Sequence, residues 1–565
     1  MKTRSAVSLI TTALFLSAAM AAAQNSQPNH THYAKNEKAM KPAPSGALAP
    51  RLQNLGKHTF PVSCQGDGVQ AFFNQGVNLA YGFNHAEAGR AFREVARRAP
   101  NCAMAYWGQA VVLGPNINAP MDPAEEPNAY KLVQKAVALK THASARERDY
   151  IDALAQRYSG KAEDRKVRDQ AYADAMRKLS QKYPDDLEAA TLFVESLMDL
   201  RPWNYWSRDG RPHPGTDEIV ETLDRVIARN PDHPGALHFS IHVWEPTEFP
   251  ERAETAADRL LTLVPGAGHL VHMPGHIYQR VGRYQDVVRA NDLAIRADED
   301  YIVQCRAQGI YPLGYYPHNI HFKWFGATMA GQRQIALQAA RKTAKSIPAE
   351  AFKEAPFLQG FVVVPYYAMV RFGNWKEILR EPMPRHDSLF TRGVRHYARG
   401  AALIGLGRLR EAEKEVAQLK KIVADPTLPK VPASFSANSA YDILRIAPEV
   451  LEGEIAAKRK SYDLAIRHLD KAVRLHDALI YTEPDDWHYP VRHSLGAVLL
   501  EAGRPKEAEV VYWEDLRRNP DNGWSLFGLA QALKAQGKKD QAAEIESRFA
   551  KAWSHSDVKL VASRF

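Results

Sequence analysis

The chain has 565 residues, 45% hydrophobic and 24% charged, an ordinary globular balance that excludes wholesale disorder, a collagen-like chain and a polytopic membrane protein. Its net charge of +10, from 74 basic and 64 acidic side chains, is too mild over this length to point to nucleic acid. Three cysteines exclude a disulfide-stapled scaffold and any site needing four thiolates, whereas the 21 histidines are abundant and unevenly placed.

Residues 1–23 read as a secretory signal: Lys2 and Arg4 form a basic start, Ala6 to Ala19 an apolar run, and Ala21, Ala22 and Ala23 the small residues before a cleavage near Ala23. The alternative is an uncleaved anchor, for which the apolar run is short. Cleavage removes two positive charges and leaves no membrane span. A periplasmic or secreted location follows, in an oxidising compartment. Residues 24–58, rich in Gln, Asn, Pro and Lys, read as a flexible leader. They include the sequon Asn29-His30-Thr31, which matters only in a eukaryotic host.

From residue 68 the pattern is helix, short turn, helix. Phe72, Gly76, Ala88, Phe92 and Pro100 recur in kind as Gly496, Ala508, Tyr512 and Pro520; as Gly453, Ala465, Leu469 and Ala472; and as Gly400, Ala412 and Val416. Trp524 and Gly528 begin a last repeat. Small Gly and Ala let two antiparallel helices approach, an aromatic fills the space between pairs, and Pro stops the second helix. This pattern resembles the tetratricopeptide repeat (TPR). The resemblance implies an all-α, TPR-like superhelix, an α-solenoid of roughly a dozen helix pairs. It is weaker over 120–230, where spacing of apolar residues still predicts helices at 125–140, 143–158, 165–183 and 186–200. Residues 59–345 are read as an N-terminal superhelix and 346–565 as repeats that continue it. Pro348, Pro356, Pro365, Pro382 and Pro384 mark an irregular join.

Repeats beginning at 234, 268 and 317 put their histidines in phase. His238 and His242 take positions 5 and 9, with Glu245 at 12. His269, His272 and His276 take 2, 5 and 9, with Gln279 at 12, and His318 and His321 take 2 and 5. A 15-residue insertion, containing Cys305, Tyr315 and Tyr316, precedes the third repeat. Positions 2, 5, 9 and 12 share one face of a helix. Random placement would put about 0.4 histidines on these 12 positions, and seven are there. In TPR proteins that face lines the concave groove.

Histidines four apart on one helix chelate a metal, and a carboxylate one turn on completes or orients the set. Imidazoles without thiolates suit Zn, Cu or Fe. His238, His242, Glu245, His269, His272, His276, His318 and His321 are therefore candidate metal ligands, with Glu245 also a candidate catalytic base. Two other readings stay open: a hydrogen-bonded structural network, and a metal-free groove that binds an anion or senses pH. No general-base Glu lies between the paired histidines as in HExxH, and there is no nucleotide loop or haem motif.

The segments Tyr81-Gly-Phe-Asn-His85, Leu113-Gly-Pro-Asn-Ile-Asn118, His269-Leu-Val-His-Met-Pro-Gly-His-Ile-Tyr278, Tyr316-Pro-His-Asn-Ile-His321 and Phe372-Gly-Asn-Trp375 look like those of a family of exported bacterial TPR proteins. The resemblance implies fold and export, and no particular reaction. It adds His85, Asn116 and Asn118 to the groove, against turn and cap chemistry for the Asn pair. Residues 201–215 are too rich in Pro and Gly for a helix. Trp203, Tyr205 and Trp206 there either cap the groove over a ligand or plug one end of the superhelix. Cys64 and Cys102 bracket the first repeat and are expected to bond, leaving Cys305 as a free thiol. Trp487, His488, Tyr489 and His493 form a smaller aromatic cluster. Three functions follow: a binding protein whose groove holds a transition metal with a small-molecule or peptide ligand; a metal-dependent oxidoreductase or hydrolase; and a metal-free protein-interaction scaffold.

Overall fold

The structure, a computed structural model, describes residues 46–305, 311–353, 355–434 and 437–565. The expected signal, its cleavage site and the sequon lie outside them. The described residues form helices joined by short turns, with three isolated two-residue bridges and no strand. Over the weak stretch the helices are Glu126–Ala138, Ala145–Ala155, Arg165–Lys182 and Leu187–Asp199, as the apolar spacing predicts. No described helix is long and apolar enough to cross a membrane.

Gly and Ala at the repeat positions do the packing their size allows. A Cβ on Gly76 or on Gly108 would stand 2.6 Å from the Phe92 ring, so that ring is clamped between two helices at glycine-only distance. Tyr512 is held the same way between Gly496 and Gly528. Each fully buried aromatic ties one helix pair to the next and contributes a few kcal/mol, roughly 3–5 by comparison with large-to-small core substitutions.

Residues 46–58 do not hang free. Leu52 and Leu55 are buried, Leu52 N–H donates to Gln75 Oε1 (3.0 Å), and Asn54 O accepts from Gly266 N–H (2.7 Å). Cys64 and Cys102 are joined in a disulfide, and Cys305 is free and buried. Before the third repeat the helix Tyr284–Cys305 runs to 22 residues, and Tyr311–Tyr315 form a separate helical turn that leads into that repeat.

The superhelix closes on itself. Arg517 pairs with Glu248 (3.0 Å), Trp524 Nε1–H donates to Thr328 O (3.0 Å), and Ser556 Oγ–H donates to Gly331 O (2.9 Å). The C-terminal repeats therefore lie against the central ones. What the repeat pattern describes as an open concave face becomes an enclosed interior there.

Candidate metal centre

Three first helices carry the in-phase histidines: Pro234–Trp244, the pair Gly268–His272 and Pro274–Arg280, and Tyr316–Met329. They begin within one residue of the repeat starts read from the sequence. Pro274 has no N–H to donate, so the middle helix breaks at Met273 and resumes at Pro274. His238, His242, His269, His272 and His276 are all buried, and His318 is half-buried.

Their nitrogens converge in two sets. The ligand atoms of His238, His242 and His269 lie within 4.8 Å of one another, as do those of His272, His276 and His318. The sets are adjacent: the His242 and His276 rings are 6.0 Å apart and the His269 and His272 rings 5.8 Å.

The outward nitrogens are held by acceptors. His238 Nδ1–H donates to Tyr81 O (2.7 Å). That carbonyl is free because the helix Val69–Tyr81 ends there, and the last carbonyls of a helix have no partner within it. His242 Nδ1–H donates to Glu245 Oε1 (2.7 Å) and His276 Nδ1–H to Glu245 Oε2 (2.6 Å), so one carboxylate serves both sets. His272 Nδ1–H donates to Asn291 Oδ1 (2.7 Å), an orientation fixed because Asn291 Nδ2–H donates to Val287 O (2.8 Å). Gly275 makes room, since a Cβ there would stand 3.0 Å from Asn291 Nδ2.

With Nδ1 donating, the Nε2 of each neutral ring presents a lone pair inward. His238 and His242 Nε2 face each other at 2.9 Å, and His272 and His276 Nε2 at 2.6 Å. Two lone pairs at these distances repel unless a proton or a cation is shared between them. Two nitrogens on one tetrahedral zinc stand about 3.3 Å apart, given Zn–N near 2.0–2.1 Å, which small ring rotations here would supply. His269 is 2% exposed and neither ring nitrogen has a hydrogen-bond partner. Burying a polar group unpaired is costly, and this one is aimed at the His238–His242 pair.

The electrostatics separate the sets. Burial first, then repulsion from neighbouring imidazoles, pushes His238, His269, His272 and His318 well below the ordinary imidazole range, and His242 down to about 3. His276 goes the other way, to about 10: burial opposes its charge, but Glu483 and Glu245 beside Nδ1 overcome it. Burial, then Glu245, raises Glu483 to about 7. A charged His276 can donate Nε2–H to His272. The His238–His242 pair has no such proton, since both rings are held neutral and both Nδ1 atoms already donate.

Aromatic rings wall the centre. Phe83 lies 4.6 Å from His238 and 5.3 Å from His269, and Phe322 lies 4.7 Å from His272 and 4.5 Å from His276. Phe83 has φ of 55°, an uncommon conformation that turns the chain after Tyr81 and aims the ring inward. The Tyr81–His85 motif thus supplies both a carbonyl and a wall.

Other candidates are placed as follows. His321 stands apart from both sets, stacked on Trp324 at 5.0 Å: three residues beyond His318, it points into the packing against Trp324 and Phe361. Gln279 is buried one turn beyond His276. His85 is buried beyond Phe83 beside Asn116, 6.5 Å from the Phe83 ring. Trp203 stands edge-on to His242 at 5.1 Å, its Nε1–H donating to Asn118 Oδ1 (3.2 Å), and at 39% exposure it roofs the centre. Trp206 anchors that loop through Val243 O (2.8 Å), and Tyr205 is buried beneath it. Glu245 is not a free base, because both its oxygens accept from imidazoles.

Sequence reasoning missed Asn291, Phe83, Phe322 and Glu483. Glu483 comes from a loop more than 200 positions beyond His276, and its carboxylate pairs with His276 Nδ1. Tyr481 donates to that carboxylate, and Arg280, over the Tyr481 ring at 5.5 Å, bonds Glu245 O (3.0 Å) and Thr247 O (2.8 Å). Only the closure of the superhelix reveals this group. A second cluster is built on a buried carboxylate: Glu188 accepts from Tyr81 Oη–H (2.6 Å) and ion-pairs with His58 Nε2 (2.9 Å) and His233 Nε2 (3.1 Å), and the ligand atoms of Glu188, His58 and His233 also lie within 4.8 Å of one another. His493 likewise lies between Arg371 (2.8 Å) and Asp515 (2.9 Å).

Residues 490–512 match the family model described as Tetratricopeptide repeat. No curated protein matches the chain. Among solved structures it is similar to a human IFIT1 dimer with m7Gppp-AAAA, at 13% identity and TM-score 0.30 over 86% of this chain and 90% of that one. It is also similar to the Cut9-Hcn1 hetero-tetramer of the APC/C, at 12% identity and TM-score 0.36 over 87% of this chain and 80% of that one. Scores this low carry no argument about what this chain does.

Proposed function

We propose that this TPR-type superhelix is an exported binding protein, periplasmic or secreted, whose enclosed histidine centre holds a transition metal. The observation that carries the reading is the frustrated hydrogen bonding of the His238–His242 pair beside His269. Two inward lone pairs 2.9 Å apart and a buried imidazole with neither nitrogen bonded form a donor set that a cation satisfies and a hydrogen-bonded network does not. Six imidazoles without thiolate suit Zn, Cu or Fe. The Nδ1 partners supply what ligating histidines ordinarily have, a carboxylate or carbonyl that fixes tautomer and ring angle. Trp203 and its loop form the side from which a small molecule or peptide approaches.

Elemental analysis of the full-length protein, purified without chelators and again after incubation with Zn(II), Cu(II) or Fe(II), tests this. Bound metal that survives desalting is expected. Less than about 0.1 equivalent before and after incubation refutes it.

A further inference from the structure

We infer that the centre is dinuclear: one ion on His238, His242 and His269, a second on His272, His276 and His318, with Glu245 the outer carboxylate common to both. The inference rests on the metal-binding reading above and adds the number of ions and their coupling. Six imidazoles exceed what one tetrahedral ion takes, and they divide into two groups, each converging within 4.8 Å. Each group contains an HxxxH pair from one helix turn with both Nε2 atoms inward, and each gains a third imidazole from elsewhere: His269 from the next repeat for the first, His318 from the following one for the second.

The outer shell repeats the same division. Every paired histidine has its own Nδ1 acceptor: Tyr81 O and Glu245 Oε1 in one group, Asn291 Oδ1 and Glu245 Oε2 in the other. A carboxylate that splits its oxygens between the two groups fixes His242 and His276 together, so loading one group orders the other. Two cations in a buried space need counter-charge, and Glu245 and Glu483 provide it. A neighbouring cluster that contains carboxylates, Glu245, His276 and Glu483, uses the Nδ1 side of His276 and so belongs to the outer shell. Three protein ligands per ion leave each a coordination position for water or substrate, as in catalytic rather than structural zinc sites.

The test is metal stoichiometry on the full chain. The apoprotein is titrated with Zn(II), desalted and analysed for zinc per chain, for wild type and for His238→Ala and His318→Ala. Two equivalents in the wild type and one in each variant are expected. One equivalent in the wild type, lost by either variant, overturns the dinuclear assignment and leaves the metal-binding reading standing. Zero in the wild type overturns both. Should a variant fail to fold, as circular dichroism reports, the wild type alone decides by diethylpyrocarbonate modification mapped by mass spectrometry with and without zinc. Protection of histidines in both groups supports two ions, and protection confined to one group overturns the proposal.

Discussion

Replacing Glu245 by Gln changes almost no volume and removes one acceptor from the point where the two histidine groups meet. The carboxylate accepts His242 Nδ1–H at 2.7 Å and His276 Nδ1–H at 2.6 Å, one on each oxygen. Glutamine keeps one oxygen and turns an amide N–H at the other ring. That ring must leave a buried donor against a donor, or flip its tautomer and place N–H where its metal-facing lone pair was. An unsatisfied buried group costs about 1–3 kcal/mol, and loss of an outer-shell partner of a ligating histidine weakens metal binding about 10–100-fold. The two figures agree, since 10–100-fold is about 1.4–2.7 kcal/mol. Zinc affinity, measured by competition with a chromophoric chelator, should fall by that factor for at least one ion, while circular dichroism of the apoprotein stays helical. Wild-type affinity within about threefold for every bound ion, in a folded Glu245→Gln protein, refutes the assignment of the carboxylate.

Other expectations follow from the same structure. Trp203→Ala removes the aromatic edge 5.1 Å from His242 and should speed metal loss to EDTA without changing stoichiometry; an unchanged release rate refutes its role as a roof. Phe92→Ala empties a space shaped by Gly76 and Gly108 and should destabilise the chain by about 3–5 kcal/mol in urea unfolding. The Cys64–Cys102 bond closes a separation of 38 residues, so Cys64→Ser should cost about 2–4 kcal/mol, read as a lowered urea midpoint. Burial lowers His85 to about 4 in the folded chain from the ordinary 6.5 or so. The unfolded chain then binds the extra proton between those values, so stability from this group is full above pH 6.5 and is lost as pH falls toward 4. His85→Asn should flatten the fall in stability over that window relative to wild type, and equal slopes would refute this.

The repeat pattern alone determined the all-α superhelix, the helix bounds over 125–200 and the phase shared by six of the seven histidines expected on one face. Those are local properties: Gly and Ala set how closely two helices approach, and a spacing of three and four sets which side chains share a face. The same period could not separate His318 from His321, because both lie near that face and only the packing of Trp324 and Phe361 draws His321 away. Nor could it find Asn291, on the second helix of its pair, or Tyr81 O, a main-chain atom exposed where a helix ends. Glu483 shows the limit most clearly. It stands beside His276 because the C-terminal repeats close onto the central ones, and that closure sums many small rotations between repeats that no single repeat encodes. Tertiary structure likewise decided that the histidine face is a buried interior rather than an open groove. Burial is what makes the inward lone pairs and the unpartnered His269 costly, and so turns a compositional excess of histidine into a candidate metal centre.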